Sequence, residues 1–409
     1  MNWRLLSEPI LRDSPKEEIT VSHLFWYPGN ELLLPGITRA ENCSLFDAGG
    51  RRWLDLGGGV WCLSIGHGHP RVVRALSTLA PLIAHTGFGY SSPVVEASAS
   101  EILSLLGFEG GRCVFLCSGS EAVEYGVRIA QQILGGRPLL IMADTYCGAY
   151  GSARSRREEE WIAFDWSGCR DCPAHRECDT CEAFSRIPFD GLGGFLLEPG
   201  SSSGLVRFPP AKLVRAIDRA VREGGGLLLA NEVTTGIGRT GEWFGYRHYG
   251  VEPDIVAMGK GIGNGYPVSV VAVSPAVAAR LGREPIAYAQ SHQNDPLGAA
   301  VAREVVRTIR DEGLVERGRR VGERLMEGLQ AIGERTGRIA ALRGRGPMIA
   351  VELAGGDGFA RDVQHRLLDR GFLAPRRPGL PVLRLDPSLT IDHADVEAFL
   401  AALEAVLAA

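Results

Sequence analysis

"LLLANEVTTGIGRTG", residues 227–241, begins as an unbroken apolar run and ends in a glycine-rich loop. Read as a buried strand, it sets Asn231 and Glu232 at the strand's end, where α/β proteins hold their ligands. The flanking sequence supports that reading. Upstream, "RCVFLC", "PLLIMAD" and "GGFLLEP" predict further strands, and "DIVAMGK" follows at 254–260 as the last of the series. Helical stretches separate them. In "AKLVRAIDRAVREG" the apolar residues Leu213, Val214, Ile217 and Val221 share one face. Apolar strands alternating with amphipathic helices predict a mostly parallel sheet covered on both sides.

Outward from this core the pattern changes. Residues 1–60 are irregular, with strand-like pieces around "CSLFDAGGRRWLDL". Beyond residue 300, the Arg- and Glu-rich stretch "LVERGRRVGERLMEGLQAIGERTG" leads into "RGPMIAVEL", "PVLRLDPSLTI" and a last helix "HADVEAFLAALEAVL". This part reads as a smaller α+β unit. With 409 residues the chain exceeds one minimal core, so more than one domain is expected.

A net charge of −4 gives no electrostatic reason to expect nucleic acid or an anionic membrane as partner. No apolar run is long enough to cross a bilayer. The opening "MNWRLLSEPILRDSPKEEIT" lacks the apolar core of a secretory signal, and the cytoplasm is the expected compartment.

Lysine is scarce. Lys16 and Lys212 lie in a charged N-terminal stretch and on a helix with the look of a solvated surface, whereas Lys260 ends an apolar strand and opens "GIGNGYP". An amine held in a low-dielectric cleft loses its proton more readily and can form a Schiff base. "FLCSGSEAVEYG" is a strand running into a helix through Ser118-Gly119-Ser120, and exposed amides at a helix N-terminus bind phosphate. Ser118 and Glu121 also have the spacing of a capping box, which needs no ligand.

Taken in order, these motifs resemble the class III aminotransferases, pyridoxal-phosphate enzymes of fold type I. The segments that carry the resemblance are "WLDLGGGVWCLSIGHGHPRVVRAL", "CSGSEAVE", "EPGSSSG", "NEVTTGIGRTGEWFGYRHYGVEPDIVAMGKGIGNGYP", "LRGRGPMIAVEL" and "VLRLDPSLTI". It implies an N-terminal segment over 1–65 belonging to the small domain and subunit interface. It further implies a pyridoxal 5′-phosphate-binding large domain over 66–300, with a mostly parallel sheet of the seven-stranded type, and a C-terminal α+β domain over 301–409. Lys260 would carry the Schiff base and shuttle the proton, with Gly119 and Ser120 on the phosphate. Tyr146 and Val233 would take opposite faces of the pyridine ring, and Glu198 would stand near the cofactor. Ser291 would reach the phosphate of the other subunit in a homodimer. Arg384 would pair with a substrate carboxylate, a task suited to its planar fork. The activity implied is amino transfer between a primary amine or amino acid and a keto acid.

Asn231 occupies the aspartate position of that family. An amide hydrogen-bonds to the ring nitrogen but carries no charge to stabilise its protonated form, which makes a weaker electron sink. Thr234 stands in place of a longer glutamine, and Cys147 in place of a histidine. Racemisation, elimination or replacement, and carbon–carbon bond formation therefore stay open beside transamination, as does a non-catalytic scaffold that retains the fold. His67 and His69 are assigned no catalytic role.

The remaining motif is "CRDCPAHRECDTC". Cys169, Cys172, Cys178 and Cys181 form C-x2-C-x5-C-x2-C in an insertion at about 160–185, a pattern that suits a tetrahedral thiolate site. Structural zinc is the first expectation, with an iron–sulfur cluster or an unmetallated loop as alternatives. The metal would pin a loop too polar to fold alone, with His175 on its surface.

Overall fold

The computed structural model describes residues 23–25, 31–87, 89–170, 172 and 177–409. Lys16 and His175 lie outside these residues. Near the N-terminus, β1 (Ile37–Glu41), β2 (Ser44–Asp47) and β3 (Arg52–Asp55) form an antiparallel meander. The central sheet follows. Its strands are β4 (Arg112–Leu116), β5 (Leu139–Met142), β6 (Trp161–Phe164), β7 (Gly194–Leu197), β8 (Leu227–Glu232), β9 (Ile255–Met258) and β10 (Ser269–Val273). They lie in the order β4-β10-β9-β8-β7-β5-β6.

Only β10 runs against the rest, pairing antiparallel with β4 and β9. The strands from β5 to β9 are buried almost throughout, as expected for a sheet with both faces covered. Helix Ala211–Glu223 covers one face by burying Leu213, Val214, Ile217 and Val221. Helix Gly119–Ile133 packs across the other face and is closed at its start by the Ser118/Glu121 capping box.

The sheet differs from the sequence reading at two strands. The series does not end with "DIVAMGK", because Ser269–Val273 adds a fully buried strand. So few residues separate it from β9 that it must turn back rather than cross over in parallel. The inserted segment is also more than a loop needing a metal. Trp161–Phe164 pairs parallel with β5 as the edge strand β6 and buries Trp161 and Phe164.

The second unit uses both ends of the described chain. β11 (Ile339–Arg345), β12 (Met348–Leu353), β14 (Arg376–Arg377) and β15 (Val382–Leu385) form one sheet, and β13 (Phe372–Leu373) pairs parallel with β3. Leu54 and Leu56 share a core with Leu325, Val351, Leu385 and Phe399. Helix Pro296–Asp311 packs against helices Pro70–Leu79 and Pro93–Leu106 of the large unit.

Candidate active site

The carboxyl ends of β4, β5, β7, β8 and β9 converge, each delivering residues to one place. β4 ends at the Gly119 helix, β5 leads to Tyr146, β7 to Glu198, β8 carries Asn231 and β9 leads to Lys260. A cavity of about 310 Å³ opens there, lined among others by Gly119, Ser120, Tyr146, Asn231, Val233, Thr234 and Lys260.

Lys260 takes a left-handed backbone conformation (φ 45°) just after Gly259. Its loop is held by Asn264, which accepts from Ile65 N at 2.9 Å and donates to Gly66 O at 2.8 Å. Lys260 Nζ lies 3.5 Å from Thr234 Oγ1. Burial is the main cause that lowers its affinity for a proton, favouring the neutral amine. At the phosphate end, the capping box occupies the N–H groups of Ser118 and Glu121. Those of Gly119 and Ser120 have no partner among the described residues. Gly119 is needed for space, since a Cβ there would meet Val233 Cγ1 at 2.5 Å.

Asn231 is built into the site through both sides of its amide. Oδ1 accepts from Val233 N at 3.3 Å, and Nδ2 donates to the Tyr146 carbonyl at 3.1 Å. The Cys147 thiol is buried, and burial raises its pKa. Glu198 accepts from Tyr146 N at 3.0 Å and from Ser202 Oγ at 2.5 Å; burial pushes its carboxyl up to about 7. The neighbouring Glu232 turns away from the cavity. It accepts from Thr235 Oγ1, Gly245 N and Tyr246 N at 2.7, 2.9 and 2.8 Å, which anchors the loop carrying Val233 and Thr234.

These features fit pyridoxal phosphate. Free N–H groups at a helix start suit a dianion, a desolvated lysine faces the cavity, and an amide stands at the end of β8. Ser291 is exposed in a turn outside the cavity lining, beside a second hollow that includes His292 and Asp295. Arg384 is not in the cavity lining either. It is buried on β15 and ion-paired with Asp386.

Sequence reading missed Trp61. Residues 58–61 form a left-handed turn (φ 54–68°), and Asp55 steadies it by accepting from Gly57 N and Gly59 N, both at 2.8 Å. Positive φ at the bulky residues Val60 and Trp61 is a strained choice that the surroundings must impose. It brings the Trp61 ring close to two cations, with Lys260 Nζ 5.4 Å and the Arg384 guanidinium 4.2 Å from its centroid.

The four cysteines line one small hollow with Phe184, Pro210 and Leu213, and none is in a disulfide. Lys212, expected to be solvated, instead places Nζ 3.5 Å from Cys172 Sγ. From the same helix Arg219 pairs with Asp179 at 3.0 Å.

Comparison with known proteins agrees with this geometry. The aminotransferase class-III family profile matches residues 28–138 and 174–407. An acetylornithine aminotransferase of Mycobacterium tuberculosis (strain ATCC 25618 / H37Rv) is 31% identical over 374 residues, covering 91% of each chain. The 4-aminobutyrate aminotransferase GabT of Escherichia coli (strain K12) is 29% identical over 389 residues, covering 88% of this chain and 90% of its own. Among solved structures, a PLP-bound amine transaminase from an uncultivated Pseudomonas species superposes with a TM-score of 0.84 at 26% identity, covering 95% of this chain and 99% of its own. The unmatched span, 139–173, contains Cys169 and Cys172.

Proposed function

The chain belongs to the class III aminotransferases, pyridoxal-phosphate-dependent transferases of fold type I, and from that premise we propose how its own residues carry amino transfer from a primary amine or amino acid to a keto acid. The cofactor, when bound, supplies an aldehyde for the amine and a ring that withdraws electrons from the reacting carbon. Lys260 is the catalytic residue: its desolvated Nζ would hold that aldehyde and, once freed by the incoming amine, would carry the proton on and off the substrate carbon. Thr234 Oγ1 steadies Nζ between those tasks. The Gly119 and Ser120 N–H groups, at the positive end of their helix, hold the phosphate. Tyr146 and Val233 confine the ring from its two faces. Glu198 fixes the backbone of Tyr146 and keeps a titratable carboxyl near Lys260. Arg384 lies towards the substrate, and Ser291 serves the phosphate of a second subunit in a homodimer.

The observation that carries the reading is the convergence of Lys260, Gly119, Ser120 and Asn231 on one cavity at the carboxyl ends of the strands. Asn231 supports a ring nitrogen without a proton, because an amide can donate to its lone pair but carries no negative charge to stabilise the protonated ring. That favours slow amino transfer and lends weight to a second reading, a reaction that rearranges the substrate without transferring its amine. Titration of the loaded protein with a panel of amines and amino acids separates the two. Loss of the visible cofactor band with a donor, and its return with a keto acid, establishes transfer. A band that shifts but never yields the amine form of the cofactor refutes it.

Further parts of the proposal are a structural zinc on Cys169, Cys172, Cys178 and Cys181 and residence in the cytoplasm. The gathering of four thiols around one hollow beside Lys212 supports the zinc, since a cation near a tetrathiolate offsets its negative charge.

A further inference from the structure

Arg384 is 2% exposed and Asp386 is fully buried. Their side chains meet edge to edge: Nε donates to Oδ2 at 2.5 Å and Nη2 to Oδ1 at 3.3 Å. A carboxylate arriving from solvent would seek this kind of paired, coplanar contact. Asp386 therefore already holds one clamping edge of the guanidinium, while Nη1 is buried without a partner among the described residues.

The backbone of Asp386 is fixed in place. Its N–H donates to Leu56 O at 2.7 Å, and its carbonyl lies against Gly58, where even a Cβ would come within 2.6 Å. The nearby Arg239 donates through Nη1 to Pro387 O at 2.5 Å, its Nη2 is buried without a partner among the described residues, and its charge also favours the ionised Asp386. The Trp61 ring lies over the Arg384 guanidinium and within 5.4 Å of Lys260 Nζ.

We infer that Asp386 is a built-in counter-ion that sets substrate choice, directing the pocket towards primary amines with a neutral oxygen, rather than a carboxylate, at the Arg384 end. This rests on the proposal that Arg384 lies towards the substrate. A substrate carboxylate, that of the keto acid acceptor included, must either displace Asp386, which leaves its buried charge to Arg239 alone, or share the guanidinium with it, which brings two anions together. The acceptor too should therefore bind weakly. A neutral carbonyl or hydroxyl oxygen accepts a hydrogen bond from Nη1 with neither consequence. The aromatic face of Trp61 suits the apolar remainder of such an amine.

The test compares L-alanine with L-alaninamide, donors that differ in the group offered to Arg384, using the holoenzyme. The native protein is expected to show a KM for alaninamide no higher than for alanine. In D386N the alanine-to-alaninamide KM ratio should fall by about tenfold or more. Calorimetric titration of the holoenzyme with propionate and propionamide provides a readout without turnover, and the same reversal is expected in Kd. A native preference for alanine or propionate of about tenfold or more overturns the inference, as does an unchanged ratio in D386N. Should D386N fail to fold, the native comparison alone decides. If no donor turns over yet propionamide still binds at least as well as propionate, amino transfer fails while the role of Asp386 stands.

Discussion

Replacing Gly119 with alanine tests the geometry of the cofactor cradle. The added Cβ would lie 2.5 Å from Val233 Cγ1 and 3.0 Å from Cγ2. Carbon atoms in contact settle at about 3.5–4.0 Å, so a displacement of about 1 Å is required. Val233 has little room to give it. Its χ1 is stiff because it is β-branched, its N–H is bonded to Asn231 Oδ1, and Gly259 lies close enough that a Cβ there would meet Val233 Cγ1 at 3.2 Å. The open direction is the cavity, where the side chain would press on the cofactor ring. Over-packing of this kind costs about 1–3 kcal/mol. If it falls on binding, affinity drops by about 5- to 150-fold. Fluorescence titration of the apoprotein with pyridoxal 5′-phosphate reads the effect, and G119A/V233A should recover most of it. A G119A protein that binds within about twofold of the parent, or a double variant as weak as G119A, refutes the steric argument.

Asn231→Asp would set a carboxylate oxygen against the Tyr146 carbonyl that now receives Nδ2. The apoprotein should lose about 1–3 kcal/mol in urea unfolding, whereas the loaded enzyme should react faster with donors; unchanged apoprotein stability would contradict the hydrogen-bond pattern. For Glu198, burial raises the carboxyl from 4.5 to about 7, so the native state holds the proton more tightly than the unfolded chain. Its contribution is full below pH 4.5 and is lost as pH rises through about 7, a decline of about 3 kcal/mol. E198Q should flatten that part of the stability profile, and an E198Q curve parallel to the parent's would count against it. Metal analysis should find about one zinc per chain, lost in C172S together with several degrees of Tm. Full thermal stability in a metal-free protein would remove the structural role.

Much of the architecture was legible because local chemistry repeats along the chain. The apolar run at 227–230 forms a strand wherever a covered sheet is available, and Leu213, Val214, Ile217 and Val221 fall on one helical face by periodicity alone. Lys260 stood out because lysine is scarce and this one ends an apolar strand. The amide at Asn231 raises the question of the ring nitrogen from residue type alone.

Other features depend on contacts between distant segments, which no local pattern encodes. The mainly apolar segment at 269–273 carries no sign of strand direction, and its direction follows from the short return from β9. Trp161 and Phe164 look like part of a polar insertion until β5 supplies a ladder. Lys212 looks solvated until the thiols fold onto its helix. Asp386 is two residues from Arg384 in any conformation, yet it becomes a clamp only when β15 buries both and Leu56 and Gly58 close around it. Sequence by itself determined the strands, the lysine and the amide, because burial pattern and residue type are local properties. Tertiary structure alone decided which charges meet, because pairing depends on distances that folding sets.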